Sequence, residues 1–172
     1  MNKPMTNVLR DKIKMYIKNG VDISPLIKDI DIKGEDLSRA IIKDINRPDD
    51  NISGCNFHQA VIGEEGKITN LSRIDGRNCN FHRAKFLGTI WARYADLRNC
   101  NFQEVHATNM DYRFADLRNC NFCEAMFCIG SSKGIGAKFD EGFLKDLGES
   151  WGVEVRLKSK EELENLKKKK EV

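Results

Sequence analysis

The sequence predicts an all-β solenoid, and two observations carry that prediction. The octapeptide ADLRNCNF at residues 95–102 returns letter for letter at 115–122, and RIDGRNCNF at 73–81 keeps Asp75, Arg77, Asn78, Cys79, Asn80 and Phe81 in the same order. Within each return of 20 or 21 residues, an apolar or aromatic residue recurs every fifth position, with a small residue two places before it. A period of five fits neither the 3.6 of a helix nor the 2 of a flat strand, so the chain must turn every five residues to keep one set of side chains inside. Units that short cannot bury a face alone; the core has to come from stacking neighbours.

The inward pairs follow in chain order. Cys55 with Phe57 and Ala60 with Ile62 come first, then GEEGK at 63–67 interrupts and Leu71 and Gly76 resume the count. Cys79 with Phe81, Ala84 with Phe86 and Thr89 with Trp91 follow; one extra residue near Tyr94 accounts for the spacing of 21, after which Ala95 pairs with Leu97. Cys100 with Phe102, Val105 with Ala107, Met110 with Tyr112, Ala115 with Leu117, Cys120 with Phe122 and Ala125 with Phe127 complete the series.

The units ADLRN, CNFQE, ADLRN, CNFCE and NFHRA with KFLGT resemble the pentapeptide-repeat family, whose consensus is roughly A(D/N)Lxx, and the resemblance covers about residues 51–129. It implies a right-handed quadrilateral β-helix in which four pentapeptides make one square coil, the small and central residues point inward and the other three outward. Four steps of five return the chain to the same face one rung higher, at about the 4.8 Å spacing of a β ladder. Phe57, Phe81, Phe102 and Phe122 should then form one internal column and Cys55, Cys79, Cys100 and Cys120 another beside it.

An N-terminal helix and cap are expected over 1–50, the repeat solenoid over 51–142, and a C-terminal cap and helix over 143–172. Thr6 is a fair N-cap for a helix over 6–20, with Leu9, Ile13, Tyr16 and Ile17 on one face and Gly20 as its stop. Glu35 with Leu37 and Ala40 with Ile42 hold the five-residue spacing, so degenerate coils begin within 29–49. After GSSKGIG at 130–136, Ala137 with Phe139 reads as a last unit. Phe143, Leu144, Leu147 and Trp151 would close the core, with a short strand at 152–157 and a helix through about Lys169 opened by the capping box of Ser159 and Glu162.

No pattern selects a catalytic centre, a metal or a cofactor. Cys120 and Cys123 form a Cys-x-x-Cys, but five-residue geometry turns the first inward and the second outward, so their sulfurs diverge. The inward cysteines read as small hydrophobes in a tight column. His58 and His82 should sit outward on neighbouring rungs, with no carboxylate in their column to complete a ligand set, and His106 on another face. GSSKGIG lacks the residue order of a phosphate-binding loop.

The surface carries more information. Asp75, Asp96 and Asp116 should stack as one outward column and Arg77, Arg98 and Arg118 as a second beside it; this candidate surface ladder reads first as a solvated, self-compensated face and second as a binding face. Asn80, Asn101 and Asn121 should add an amide ladder. Val61, Leu87, Ile90, Phe114, Met126 and Ile129 are outward apolar positions, covered either by the flanks or by another chain.

Charge bounds the function. The chain has 172 residues with 29 basic and 26 acidic side chains, net +3. The balance is local as well: 10 bases to 9 acids over residues 1–50, 11 to 10 over 51–143 and 8 to 7 over 144–172. Bulk charge therefore disfavours nucleic-acid binding. With no signal-peptide core and no apolar window of about 18 residues, the expectation is a cytoplasmic protein with free thiols that does not enter a membrane. The reading is a non-catalytic structural or protein–protein interaction module, its partner another protein or a second copy in a homodimer. The alternative comes from the resemblance: some pentapeptide-repeat proteins imitate duplex DNA and modulate a type II topoisomerase such as gyrase.

Overall fold

A five-residue period becomes a solenoid only if something bends the backbone at every step, and left-handed residues do so. In the computed structural model, which describes residues 2–107, 109–127 and 137–140, side chains that tolerate positive φ occupy three corners of each coil. Asn78, Asn99 and Asn119 (φ 59–60°) form one corner, Gln59, Arg83, Glu104 and Glu124 (54–59°) the next, and Asp49, Arg73, Tyr94 and Phe114 (58–63°) the third. None of these residues is β-branched, as the left-handed region requires. Hydrogen bonds run from rung to rung: Phe57, Phe81 and Phe102 each donate their backbone N–H to an asparagine carbonyl of the next rung at 2.7 Å.

The result is a parallel β-solenoid. Strands β1 (Ile41–Ile42), β2 (Val61–Asn70), β3 (Lys85–Trp91), β4 (His106–Ala107), β5 (Met110–Asp111) and β6 (Met126–Phe127) pair in parallel. Isolated parallel bridges carry the other faces, Asp36 to Asn56 to Asn80 to Asn101 to Asn121 and Asn51 to Asp75 to Asp96 to Asp116 to Lys138. Phe57, Phe81, Phe102 and Phe122 stack in one internal column at centroid distances of 5.2, 5.1 and 5.2 Å, near the rung spacing. Leu37 lies one rung before them. Among the described residues the interior of the repeat is filled by buried apolar side chains.

The extra residue in the 21-residue spacing lies at Gly88, not near Tyr94. Phe86 pairs with Ala107, 21 positions on, whereas Ile90 pairs with Met110, 20 positions on. The inward pair of this step is therefore Ile90 and Ala92, each 1% exposed, rather than Thr89 and Trp91, and the outward placement of Ile90 is overturned. Glycine is required here: φ is +71°, and a Cβ would stand 2.3 Å from the Glu64 carbonyl oxygen and 2.5 Å from that of Lys67. Those carbonyls belong to the GEEGK interruption, which bulges from β2 between Gly63 and Ile68 and rests on this turn.

Helix α1 (Asn7–Lys18) is capped by the Thr6 hydroxyl, which accepts from the Leu9 N–H at 3.2 Å. It buries Ile13, with Leu9, Tyr16 and Ile17 packed against the core. A one-turn helix α2 (Ser24–Ile27) follows, started by Pro25. Parallel bridges from Lys3 to Ile30 and from Asp22 to Ile41 carry the ladder into this segment. Arg47, which sequence reasoning passed over, fills an inward slot below Leu71: it donates to the carbonyls of Ile27 (3.0 Å) and Ile30 (2.6 Å) and pairs with Asp50 at 2.5 Å. It gives the Ile30 carbonyl a donor and adds a second to the Ile27 carbonyl, which already accepts the Ile30 N–H at 3.1 Å, so polar groups are answered at this end of the stack. At the other end Phe139 packs edge-on against Tyr112 and Phe122. The expectations for GSSKGIG, Ile129 and everything beyond Asp140, including the strand at 152–157 and the helix after Ser159, lie outside the described residues.

Candidate functional site

With the interior filled, chemistry is confined to the outside, and the outer side chains form columns. In each copy of the repeated motif the aspartate and the arginine two residues later point to the same side of the strand. Asp75 receives Arg77 through both oxygens at 2.8 Å; Asp96 receives Arg98 at 2.8 and 2.7 Å, and Asp116 receives Arg118 at 2.8 and 2.6 Å. Weaker contacts link rungs, Arg77 to Asp96 at 3.7 Å and Arg98 to Asp116 at 3.9 Å. The arginine hydrogen bonds hold all three carboxyls below the usual range. The two columns therefore form a chain of fork-to-fork pairs, with little of either charge left unanswered.

A second group of this kind escaped the sequence reading. Asp111, buried beneath the neighbouring face, accepts from Arg113 at 2.9 and 2.8 Å and from Arg93, one rung earlier, at 2.6 Å. Burial pushes the Asp111 carboxyl up, but the bonds from Arg113 and Arg93 outweigh it and bring it to about 2. The Arg93 guanidinium also lies over the Trp91 ring at 4.9 Å. The signal was present: DYR at 111–113 repeats the D-x-R of DGR at 75–77 and DLR at 96–98 and 116–118.

The corners carry their own columns. Asn119 donates to Asn99 at 3.1 Å and Asn99 to Asn78 at 3.2 Å, so the extended amide ladder runs through these corner residues. In the column expected to carry it, Asn80 donates to Asn56 at 3.0 Å, while the side-chain oxygens of Asn101 and Asn121 accept backbone N–H groups two residues on. Asp49 pairs with Arg73 on one corner, and directly above them Tyr94 and Phe114 stack at 4.9 Å with 58% and 47% exposure. Met126 is also exposed, whereas Val61 and Leu87 are half-buried.

The histidine and cysteine readings are refined by these contacts. His58 and His82 lie with ring centroids 4.9 Å apart. A carboxylate does reach His82, from the adjacent corner column: Glu104 Oε1 stands 3.2 Å from His82 Nε2 and shares its charge with Arg83. No group of three metal-ligating side chains occurs among the described residues. Cys55, Cys79, Cys100 and Cys120 each donate a thiol hydrogen to a carbonyl of the preceding coil, at Ile32 (2.8 Å), Ile52, Gly76 and Leu97 (3.0 Å each). Burial pushes the Cys55 thiol up to about 12. Hydrogen bonding along the column and burial likewise raise Cys100. Cys123 is exposed and Cys120 partly buried, and both are free thiols.

Residues 95–128 match the family of pentapeptide repeats, in 8 copies. No curated protein matches the chain. Among solved structures, two trypsin-treated forms of QnrB1, a plasmid-mediated fluoroquinolone resistance protein, are similar at 14% and 18% identity. Each alignment covers 73% of this chain, with 93% and 92% of the QnrB1 chains, and the TM-score is 0.22 in both. No helix among the described residues is long and apolar enough to cross a membrane.

Proposed function

We propose that this pentapeptide-repeat solenoid is a non-catalytic scaffold of the cytoplasm that presents its outer columns to a protein partner or to a second copy of itself. The observation that carries the reading is the contrast between inside and outside. Stacked phenylalanines and buried aliphatic side chains leave no room for a substrate within the repeat, while the outer face holds side chains fixed at rung spacing beside the exposed Tyr94–Phe114 pair. Stacked aromatic rings on a rigid support lose little entropy on binding, which suits them to be anchors of an interface.

Mimicry of DNA is the weaker alternative, because it needs a sustained negative field and each aspartate of the ladder is held by an arginine. Affinity capture with the wild-type chain and with Tyr94→Ser/Phe114→Ser tests the reading. A stoichiometric partner or second copy should be lost from the double variant while its melting temperature is unchanged. Recovery of the same proteins by both chains would remove this corner from the interface, and a stoichiometric block of gyrase supercoiling would replace the scaffold by the mimic.

A further inference from the structure

Most arginines of the repeat answer a carboxylate, so cations that do not are informative. A groove of about 440 Å³ lies between α1 and the first coil, lined by Lys14, Ile17, Lys18, Asp36, Ser38 and Arg39. Lys14 and Lys18 stand one turn apart on the same helix face, where like charges repel. Neither forms an ion pair with a described residue. Arg39 sits on a left-handed corner and donates its Nε to Gln59 Oε1 at 3.1 Å, which fixes the guanidinium and leaves its terminal nitrogens without a bond to a described residue. The one carboxylate in the lining, Asp36, is already engaged by the Ser38 N–H at 3.1 Å and the Asn56 amide at 2.9 Å. The half-buried Ser38 adds a hydroxyl donor between the helix and the corner.

We infer that this groove binds a phosphoryl anion of pyrophosphate size, free or carried by a small organic group, with Lys14, Lys18 and Arg39 as its counter-charges and Ser38 as a hydrogen-bond donor. Two elements rather than one supply the cations, so the site exists only where α1 is docked. The anion would also relieve the Lys14–Lys18 repulsion that the helix otherwise carries. Ile17 gives the groove an apolar wall for the non-phosphoryl part of an organic ligand.

The test is titration of the full chain with inorganic pyrophosphate and, in parallel, ADP, followed by calorimetry and amide chemical shifts. Saturable binding at one site is expected, with shifts centred on Lys14, Lys18, Ser38 and Arg39. Lys14→Gln, Lys18→Gln and Arg39→Gln should each weaken it about three- to tenfold, the effect of removing one exposed charge near an anion. Lys12→Gln removes the same charge outside the groove, where Lys12 lies over the Tyr16 ring, and should leave affinity within about twofold by the screening of exposed charges. Equal affinity for both probes assigns recognition to the phosphoryl groups alone, and tighter ADP binding adds the organic part; either outcome supports the site. Non-saturable shifts, or equal weakening by Lys12→Gln, would reduce the effect to bulk charge and overturn the inference. Unchanged melting temperatures of the unliganded variants, all at exposed positions, separate loss of binding from loss of fold.

Discussion

Truncating Phe102 to alanine probes the stacking on which the solenoid depends. Its ring is 1% exposed and lies between Phe81 at 5.1 Å and Phe122 at 5.2 Å. A phenylalanine buries about 200 Å² of largely apolar surface, worth roughly 5 kcal/mol at about 25 cal/mol per Å², an upper bound since the alanine Cβ remains buried. Measured costs for such truncations are about 3–5 kcal/mol, including the cavity left behind. Each stacked neighbour adds about 0.5–1.5 kcal/mol beyond area. Phe102→Leu, which keeps most of the volume and loses the two ring contacts, should cost about 1–3 kcal/mol.

Urea denaturation followed by far-ultraviolet circular dichroism measures both variants. At about 2–4 °C per kcal/mol for a chain of this size, the alanine variant should melt roughly 6–20 °C lower. A loss under about 1 kcal/mol for Phe102→Ala, against the truncation range above, or equal losses for alanine and leucine, would refute the claim that a continuous ring column holds successive rungs together.

Two further outcomes follow from the same geometry. Because the folded Asp111 carboxyl sits near 2, below its usual value of 3.8, its contribution is present above the unfolded value and is lost as pH falls from about 5 toward 2. On the order of 2 kcal/mol should disappear over that window, and an acid titration of stability for Asp111→Asn should be flatter there, with the difference from wild type largest at neutral pH. Gly88→Ala forces a side chain into a left-handed turn against two carbonyl oxygens and should cost more than about 1 kcal/mol in urea unfolding. A neutral result would show that the bulge at Gly63–Ile68 does not rest on this turn.

Much of the surface pattern was legible because it repeats. D-x-R is visible wherever the motif recurs, and the same-rung pairs Asp75–Arg77, Asp96–Arg98 and Asp116–Arg118 follow from two residues pointing to one side of a strand. The pairing of Arg93 with Asp111 was not legible, since it joins residues 18 positions apart whose rung alignment depends on the Gly88 bulge. Glu104 was assigned to no ligand set because a corner residue can lean toward the neighbouring column, and only the corner's backbone direction says which way.

By itself the amino-acid order determined the five-residue period and the identities of the inward phenylalanine and cysteine columns, because exclusion of water acts at every fifth position and leaves its mark in composition. Tertiary structure alone decided where the odd residue is absorbed, that Arg47 enters the core, and that Lys14 and Lys18 of α1 share a groove with Arg39. Those outcomes depend on hydrogen-bond register and on one element closing over another, and several placements of an extra residue or a helix leave the same apolar periodicity in the chain.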